Sequence, residues 1–173
     1  MKKVIQISVV LMFTVVMNAQ SDKFQFRSVS LGLGICYGPN NDGGPNFTFD
    51  LATALNSKHL LSANINAGEE FNLFDAKRSF TEYNILYGRD FEIDKRLNIE
   101  VHGGLGLFSR LYRDDTTEFQ DKKDKTLGIP LRAKLLYYVI KDELALGFNQ
   151  TININSLDKT FTTNLVLQYV FKK

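Results

Sequence analysis

The sequence predicts an all-β protein, an eight-stranded antiparallel up-and-down transmembrane β-barrel. Three observations carry that reading. Apolar residues recur at every second position in eight separate segments, the period of a strand with two unlike faces. The second face is built from Gly, Ser, Thr, Asn and Ala with few charges, whereas a face that meets water usually carries many Lys and Glu. Short turns alternate with longer polar loops along the chain, the usual arrangement of a membrane barrel with turns at one end and loops at the other.

The first segment, Ser28 to Tyr37, sets Val29, Leu31, Leu33, Ile35 and Tyr37 against Ser30, Gly32, Gly34 and Cys36. Phe24 and Phe26, just before it, have the wrong parity for the apolar face. They are expected to precede the first strand or to cap the interior from below. In the second, Asn46 to Leu55, the large residues are Phe47, Phe49 and Leu51, opposed by Asn46, Thr48, Asp50 and Ala52. The third, Leu61 to Gly68, alternates Leu61, Ala63 and Ile65 with Ser62, Asn64 and Asn66. The fourth, Phe80 to Ile93, sets Tyr83, Ile85 and Tyr87 against Glu82, Asn84 and Leu86, with Arg89 on the apolar face near one end.

The fifth segment, Leu97 to Tyr112, opposes Ile99, Val101, Leu105 and Leu107 to Glu100, His102, Gly104, Gly106, Phe108 and Arg110. The sixth, Leu127 to Val139, opposes Ile129, Leu131, Leu135 and Tyr137 to Pro130, Arg132, Lys134 and Leu136. In the seventh, Leu144, Leu146, Phe148, Ile152 and Ile154 face away from Ala145, Gly147, Asn149, Thr151 and Asn153. The eighth places Phe161, Leu165, Leu167, Tyr169 and Phe171 against Thr162, Asn164, Val166, Gln168 and Val170.

Tight turns are expected at Asn56-Ser57-Lys58, Asp94-Lys95-Arg96 and Lys141-Asp142. The longer loops are Gly38 to Pro45, Glu69 to Ser79, Arg113 to Thr126 and Asn155 to Thr160. An even strand count puts both termini on the short-turn side, which in an outer-membrane barrel is the periplasmic side. Small polar side chains suit the crowded inside of a narrow barrel, so the greasy face is assigned to lipid. A soluble, lipocalin-like barrel would reverse the two faces.

Ahead of the barrel, Lys2 and Lys3 precede an apolar run from Val4 to Met17 that closes on Asn18-Ala19-Gln20. A basic start, a short apolar core and a small residue before the cut describe a secretory signal peptide. Residues 1–19 are assigned to it and residues 20–173 to a single barrel domain. The run is too short for a membrane helix, and no later apolar run is long enough for one. One Cys excludes a disulfide framework, and no Cys/His spacing reads as a zinc site. A net charge of +2 gives no electrostatic case for nucleic acid.

By parity, Asp50, Glu82, Glu100, Arg110, Arg132 and Lys134 all point into the lumen. Buried charges need partners, so an ion-pair network that plugs the lumen is expected, with Glu100 and Lys134 as neighbours on adjacent strands. The alternative is a gated ion path in which pairs exchange. His102 is read as an interior residue beside Glu100, and His59 as lying at a turn. Ser109 faces lipid near the outer end with no His nearby, so no catalytic constellation is present. No metal or cofactor site is expected. The charged loop Arg113 to Lys125 is read as a solvated tip, or as a contact site, with Asp114, Asp115 and Glu118 as possible Ca²⁺ ligands. Gly103-Gly104-Leu105-Gly106 is read as relief of crowding in a strand.

The whole pattern from Ser28 to Phe171 resembles the small eight-stranded outer-membrane barrels, the OmpA-transmembrane and OmpX-like class. The end, Leu165-Val166-Leu167-Gln168-Tyr169-Val170-Phe171 followed by Lys172 and Lys173, is similar to the strand that the barrel assembly machinery recognises. Together with Asn18-Ala19-Gln20, it is similar to the outer-membrane β-barrel domain proteins of Bacteroidetes. The resemblance implies residence in the outer membrane, contact with lipid and lipopolysaccharide, and a luminal ion-pair network. Some barrels of this size modify lipid A through a His-Ser or His-Asp-Ser set near the outer rim. No His of this chain falls there. The expectation is a monomeric barrel without a catalytic site, with a structural or surface-binding role.

Overall fold

The computed structural model describes residues 25–38, 43–55, 58–70, 77–113 and 122–171. The expected signal peptide, Phe24 and the proposed Ca²⁺ ligands Asp114, Asp115 and Glu118 lie outside them. Eight strands follow one another: β1 (Gln25–Tyr37), β2 (Gly43–Ala54), β3 (His59–Glu70), β4 (Lys77–Asp94), β5 (Leu97–Arg113), β6 (Lys122–Ile140), β7 (Leu144–Asn155) and β8 (Lys159–Val170). Each pairs antiparallel with its sequence neighbour, and β1 pairs with β8 to close the barrel. Closure gives every strand edge a partner, which hydrocarbon requires because it offers no hydrogen bonds.

The strands are tilted, and the register shows it. One row of pairs leaves β1 at Tyr37 and runs through Phe161, Ile152, Leu131, Gly103, Tyr87, Leu61 and Thr53. It returns to β1 at Phe26, near the other end of the strand. That stagger is what allows eight strands to close around an interior that side chains can fill.

A bulge lies between Phe26 and Ser28. The extra residue, Arg27, reverses the alternation. Phe26 therefore lies within β1 and points outward, exposed, and neither precedes the strand nor caps the lumen, the two expectations from its parity. Parity is a count, and one bulged residue shifts the count.

Strands β4, β5 and β6 are longer than their apolar stretches. They hold 18, 17 and 19 residues, against 12 or 13 in the other strands. Lys122 to Thr126, assigned to a loop by sequence, extend β6 instead. Their ladder continues through Tyr112↔Lys122, Leu111↔Lys123, Arg110↔Asp124 and Ser109↔Lys125. Beyond the apolar belt both faces can be polar, so the apolar period ends while the hydrogen bonding does not. Lower on β6, Pro130 has no N–H to give. The β5–β6 pairing is interrupted there, between Gly103↔Leu131 and Gly106↔Gly128.

The turns at Asp94–Arg96 and at Lys141-Asp142 are where the pattern put them. Asp142 takes φ 58°, a left-handed conformation that Asp tolerates better than most residues. The β7–β8 connection is held by Asn155, whose Oδ1 accepts from the backbone N–H of Leu157 at 2.9 Å and of Asp158 at 2.8 Å.

The outside is apolar, with Leu33 68%, Leu105 67%, Leu127 74% and Leu165 64% exposed. An apolar outer belt on a closed barrel is the inverse of a soluble lipocalin-like arrangement. Aromatics mark its two borders. Tyr37 and Phe161 pair across β1 and β8 near one end, and Phe91, Tyr137, Tyr169 and Phe171 lie near the other, all exposed. Such girdles sit at membrane interfaces.

Candidate functional site

The lumen is layered. Near the loop end, Cys36, Phe80 and Phe108 form a buried apolar cluster, with Leu157 packed against it. The rings of Phe80 and Phe108 stack at 5.9 Å. Near the turn end, Leu136, Tyr138, Ala145 and Val170 form a second cluster. Polar side chains fill the space between.

The centre of the polar layer is Asp50, on β2. Its carboxylate faces β6 across the lumen. Arg132 Nη1 donates to Oδ1 at 2.5 Å, and Lys134 Nζ donates to Oδ2 at 2.8 Å. Arg132 Nη2 also reaches Ser62 Oγ at 3.3 Å. Lys134 Nζ adds Ser30 Oγ at 3.1 Å and Gln168 Oε1 at 3.3 Å. Glu100 accepts from Gln168 Nε2 at 3.1 Å, and its other oxygen lies 3.7 Å from Lys134 Nζ. Glu100 and Lys134 are direct register partners on β5 and β6. Two cations and two carboxylates thus meet at almost complete burial, tied to β1, β3 and β8 by the hydroxyls and the amide. His102 is buried beside them, its Nε2 3.9 Å from Glu100.

Alternation placed six charged residues on the inner face, and the structure separates two of them from this group. Glu82 makes no ion pair among the described residues. It accepts from Asn66 at 3.3 Å, Asn84 at 3.2 Å and Thr160 at 3.0 Å. Its register partners are Asn66 and Phe108, which places it beneath the upper apolar cluster. Arg110 sits at the outer mouth and is part-exposed, 3.6 Å from both Asp124 and Asp158. Parity gives the face of each residue but not its height along the barrel.

An amide ladder climbs beside the charges and was not singled out from sequence. Asn46 donates to Asn66 Oδ1 at 2.9 Å, Asn84 to Asn64 Oδ1 at 3.1 Å, and Asn64 to Thr48 Oγ1 at 3.0 Å. The signal was Asn64-Ile65-Asn66 with Asn84 and Asn46, inward-facing amides on three consecutive strands. Room for it comes from glycine: a Cβ on Gly106 would run into the Asn84 carboxamide.

His59 lies on the outer surface, where its Nδ1 is hydrogen-bonded to the Tyr87 hydroxyl and its ring stacks on Tyr87 at 5.6 Å. Ser109 pairs with Thr81 and Lys125, near neither histidine. Among the described residues, no three His, Cys, Asp or Glu side chains gather as metal ligands would.

No protein-family model and no curated protein matches the sequence. Solved structures do match by shape. Neisserial surface protein A superposes with a TM-score of 0.65 at 9% identity, over 87% of this chain and 98% of that one. Ail, the attachment invasion locus protein of Yersinia pestis, gives 0.60 at 12% identity, over 86% and 99%. The fold is that of the small outer-membrane barrels. A third such barrel, the outer membrane protein OprG of Pseudomonas aeruginosa, gives 0.59 at 8% identity, over 87% and 96%. At these identities the likeness is one of architecture, and the contents of the lumen must be argued from this chain's own residues.

Those residues predict an order of coupling. In double-mutant cycles, Lys134→Met with Asp50→Asn should show a larger interaction energy than Lys134→Met with Glu100→Gln, because 2.8 Å with a hydrogen bond outranks 3.7 Å without one. Both should exceed ~0.5 kcal/mol, the level expected of independent sites. Additive losses for Lys134 with both carboxylates, measured by urea unfolding in lipid bilayers, would remove the network.

Proposed function

We propose that this chain spans the outer membrane as a monomer-sized closed barrel with a plugged lumen, and that its role is structural or surface-binding rather than conducting or catalytic. The observation that carries the reading is Asp50, which bridges Arg132 and Lys134 across the lumen between two apolar layers. A solute would have to part an ion cluster and two greasy stoppers. The enzymatic alternative lacks its parts, since neither histidine has a serine or carboxylate at the outer rim.

Support for the membrane comes from the fold and from the apolar belt between aromatic borders. Contact with lipopolysaccharide fits Lys123 and Lys125, exposed on the β6 extension above the belt, where lipid phosphates would meet them. Strands β4 to β6, longer than the rest, form the part most available to an outside partner. Strand β8, with Phe171 directly after it, suits recognition by the assembly machinery, after export by the signal peptide.

The refolded barrel in planar bilayers should leave conductance at baseline. A steady conductance in the wild-type protein would overturn the plug and favour an ion path. Loss of that conductance on tightening the layers would be its corollary.

A further inference from the structure

Gln150 is out of character in the middle of the outer belt. Gln150 is exposed at the seventh position of the twelve-residue strand β7, with Phe148 and Ile152 on either side along the same face. Mid-strand is mid-membrane in this barrel. No hydrogen bond joins its carboxamide to any other described residue. Its register partners on the flanking strands are small: Ala133 on β6 and Thr163 on β8. The three lie in a surface cleft of about 540 Å³ walled by Leu131, Ile152 and Phe161.

An unpaired amide in hydrocarbon is costly, because lipid tails can neither donate nor accept. Two copies inserted in one membrane have the same orientation, so a two-fold axis between them runs along the membrane normal. A residue on that axis meets its own copy at the same depth. Few side chains satisfy themselves in that position. Two lysines or two carboxylates repel, and two leucines gain nothing over lipid. Two carboxamides each donate and accept, so the pair closes on itself. Small flanking residues let the two surfaces approach, and the cleft receives the partner's side chain.

We propose that a second copy of this chain docks on this face, with Gln150 paired to Gln150 of its partner across a two-fold axis. This departs from the monomer expected from sequence. It rests on the outer face meeting lipid, but not on a plugged lumen.

The test uses the full barrel in bilayers. In a Cys36→Ser background, Gln150→Cys should give a disulfide-linked dimer on mild oxidation. Ile65→Cys, exposed on β3 at the far side of the barrel, should not. Gln150→Leu should raise the dimer dissociation constant, read by energy transfer on dilution in lipid, about threefold per hydrogen bond lost and about tenfold for a reciprocal pair. Gln150→Asn should fall between the two. The unheated folded band of Gln150→Leu on a gel guards against misfolding. A wild-type chain that inserts but stays monomeric at every protein-to-lipid ratio sinks this proposal alone, whether lipid or another protein occupies the cleft. Equal dimerisation of Gln150→Leu sinks it too. A chain that does not enter bilayers sinks the proposed function as well.

Discussion

Asp50→Asn is expected to destabilise the barrel by ~3–5 kcal/mol, the usual consequence of removing one partner from a buried ion pair. The large figure follows from what is left behind. Arg132 and Lys134 are both almost fully buried, and both lose their nearest anion. Lys134 keeps Glu100 at 3.7 Å, whereas Arg132 keeps a hydrogen bond to the Ser62 hydroxyl at 3.3 Å. Asp50→Asn combined with Arg132→Met leaves the central cluster neutral, with Lys134 and Glu100 still facing each other. Most of the lost stability should then return, since replacing a buried pair by apolar groups is often neutral. Urea midpoints of the folded variants in lipid bilayers measure both effects. A double variant no more stable than the single one would mean that the charges are hydrated and do not brace the barrel.

The second large effect is on the opposite face. Leu165→Arg should cost ~2–4 kcal/mol, because the guanidinium would lie near the middle of the hydrocarbon. Leu165 is 64% exposed and pairs with Leu33 and Phe148, both outward. On a soluble barrel the same change would place an arginine in water and cost almost nothing. Equal bilayer unfolding midpoints for wild type and Leu165→Arg would contradict the lipid-facing assignment.

The contrast between the faces was the most legible part of the sequence. Leu31-Gly32-Leu33-Gly34-Ile35 or Asn64-Ile65-Asn66 states which side each residue takes, since a strand has a period of two. What alternation cannot state is height. Glu82, Glu100 and Arg110 share a face, yet Glu82 lies under the Phe80–Phe108 pair, Glu100 joins the central cluster, and Arg110 reaches the mouth. Their separation depends on strand tilt and on register with neighbours, which are relations between strands. For the same reason Asp50 was read as one inward charge among six, although it bridges the lumen to β6.

Phe26 shows the other limit. A single bulge at Arg27 breaks the count, and nothing in Phe26-Arg27-Ser28 announces it beforehand. Lys122 to Thr126 show a third. Strand and loop look alike in sequence once both faces are polar, and only the ladder to β5 distinguishes them. Phe80, Phe108 and Cys36 could be placed inward individually, but their meeting as one apolar layer needed the register.

The chain contains no Trp, so one introduced indole reports on one site. Leu33→Trp, at mid-height on the outer face, should be quenched most strongly by lipids brominated deep in the acyl chain, and hardly at all by iodide in the water. Tyr137→Trp, near the turn-side border, should respond most to bromines near the headgroup. Strong quenching of Leu33→Trp by iodide, with none from brominated lipid, would contradict a barrel that turns its greasy face to the membrane.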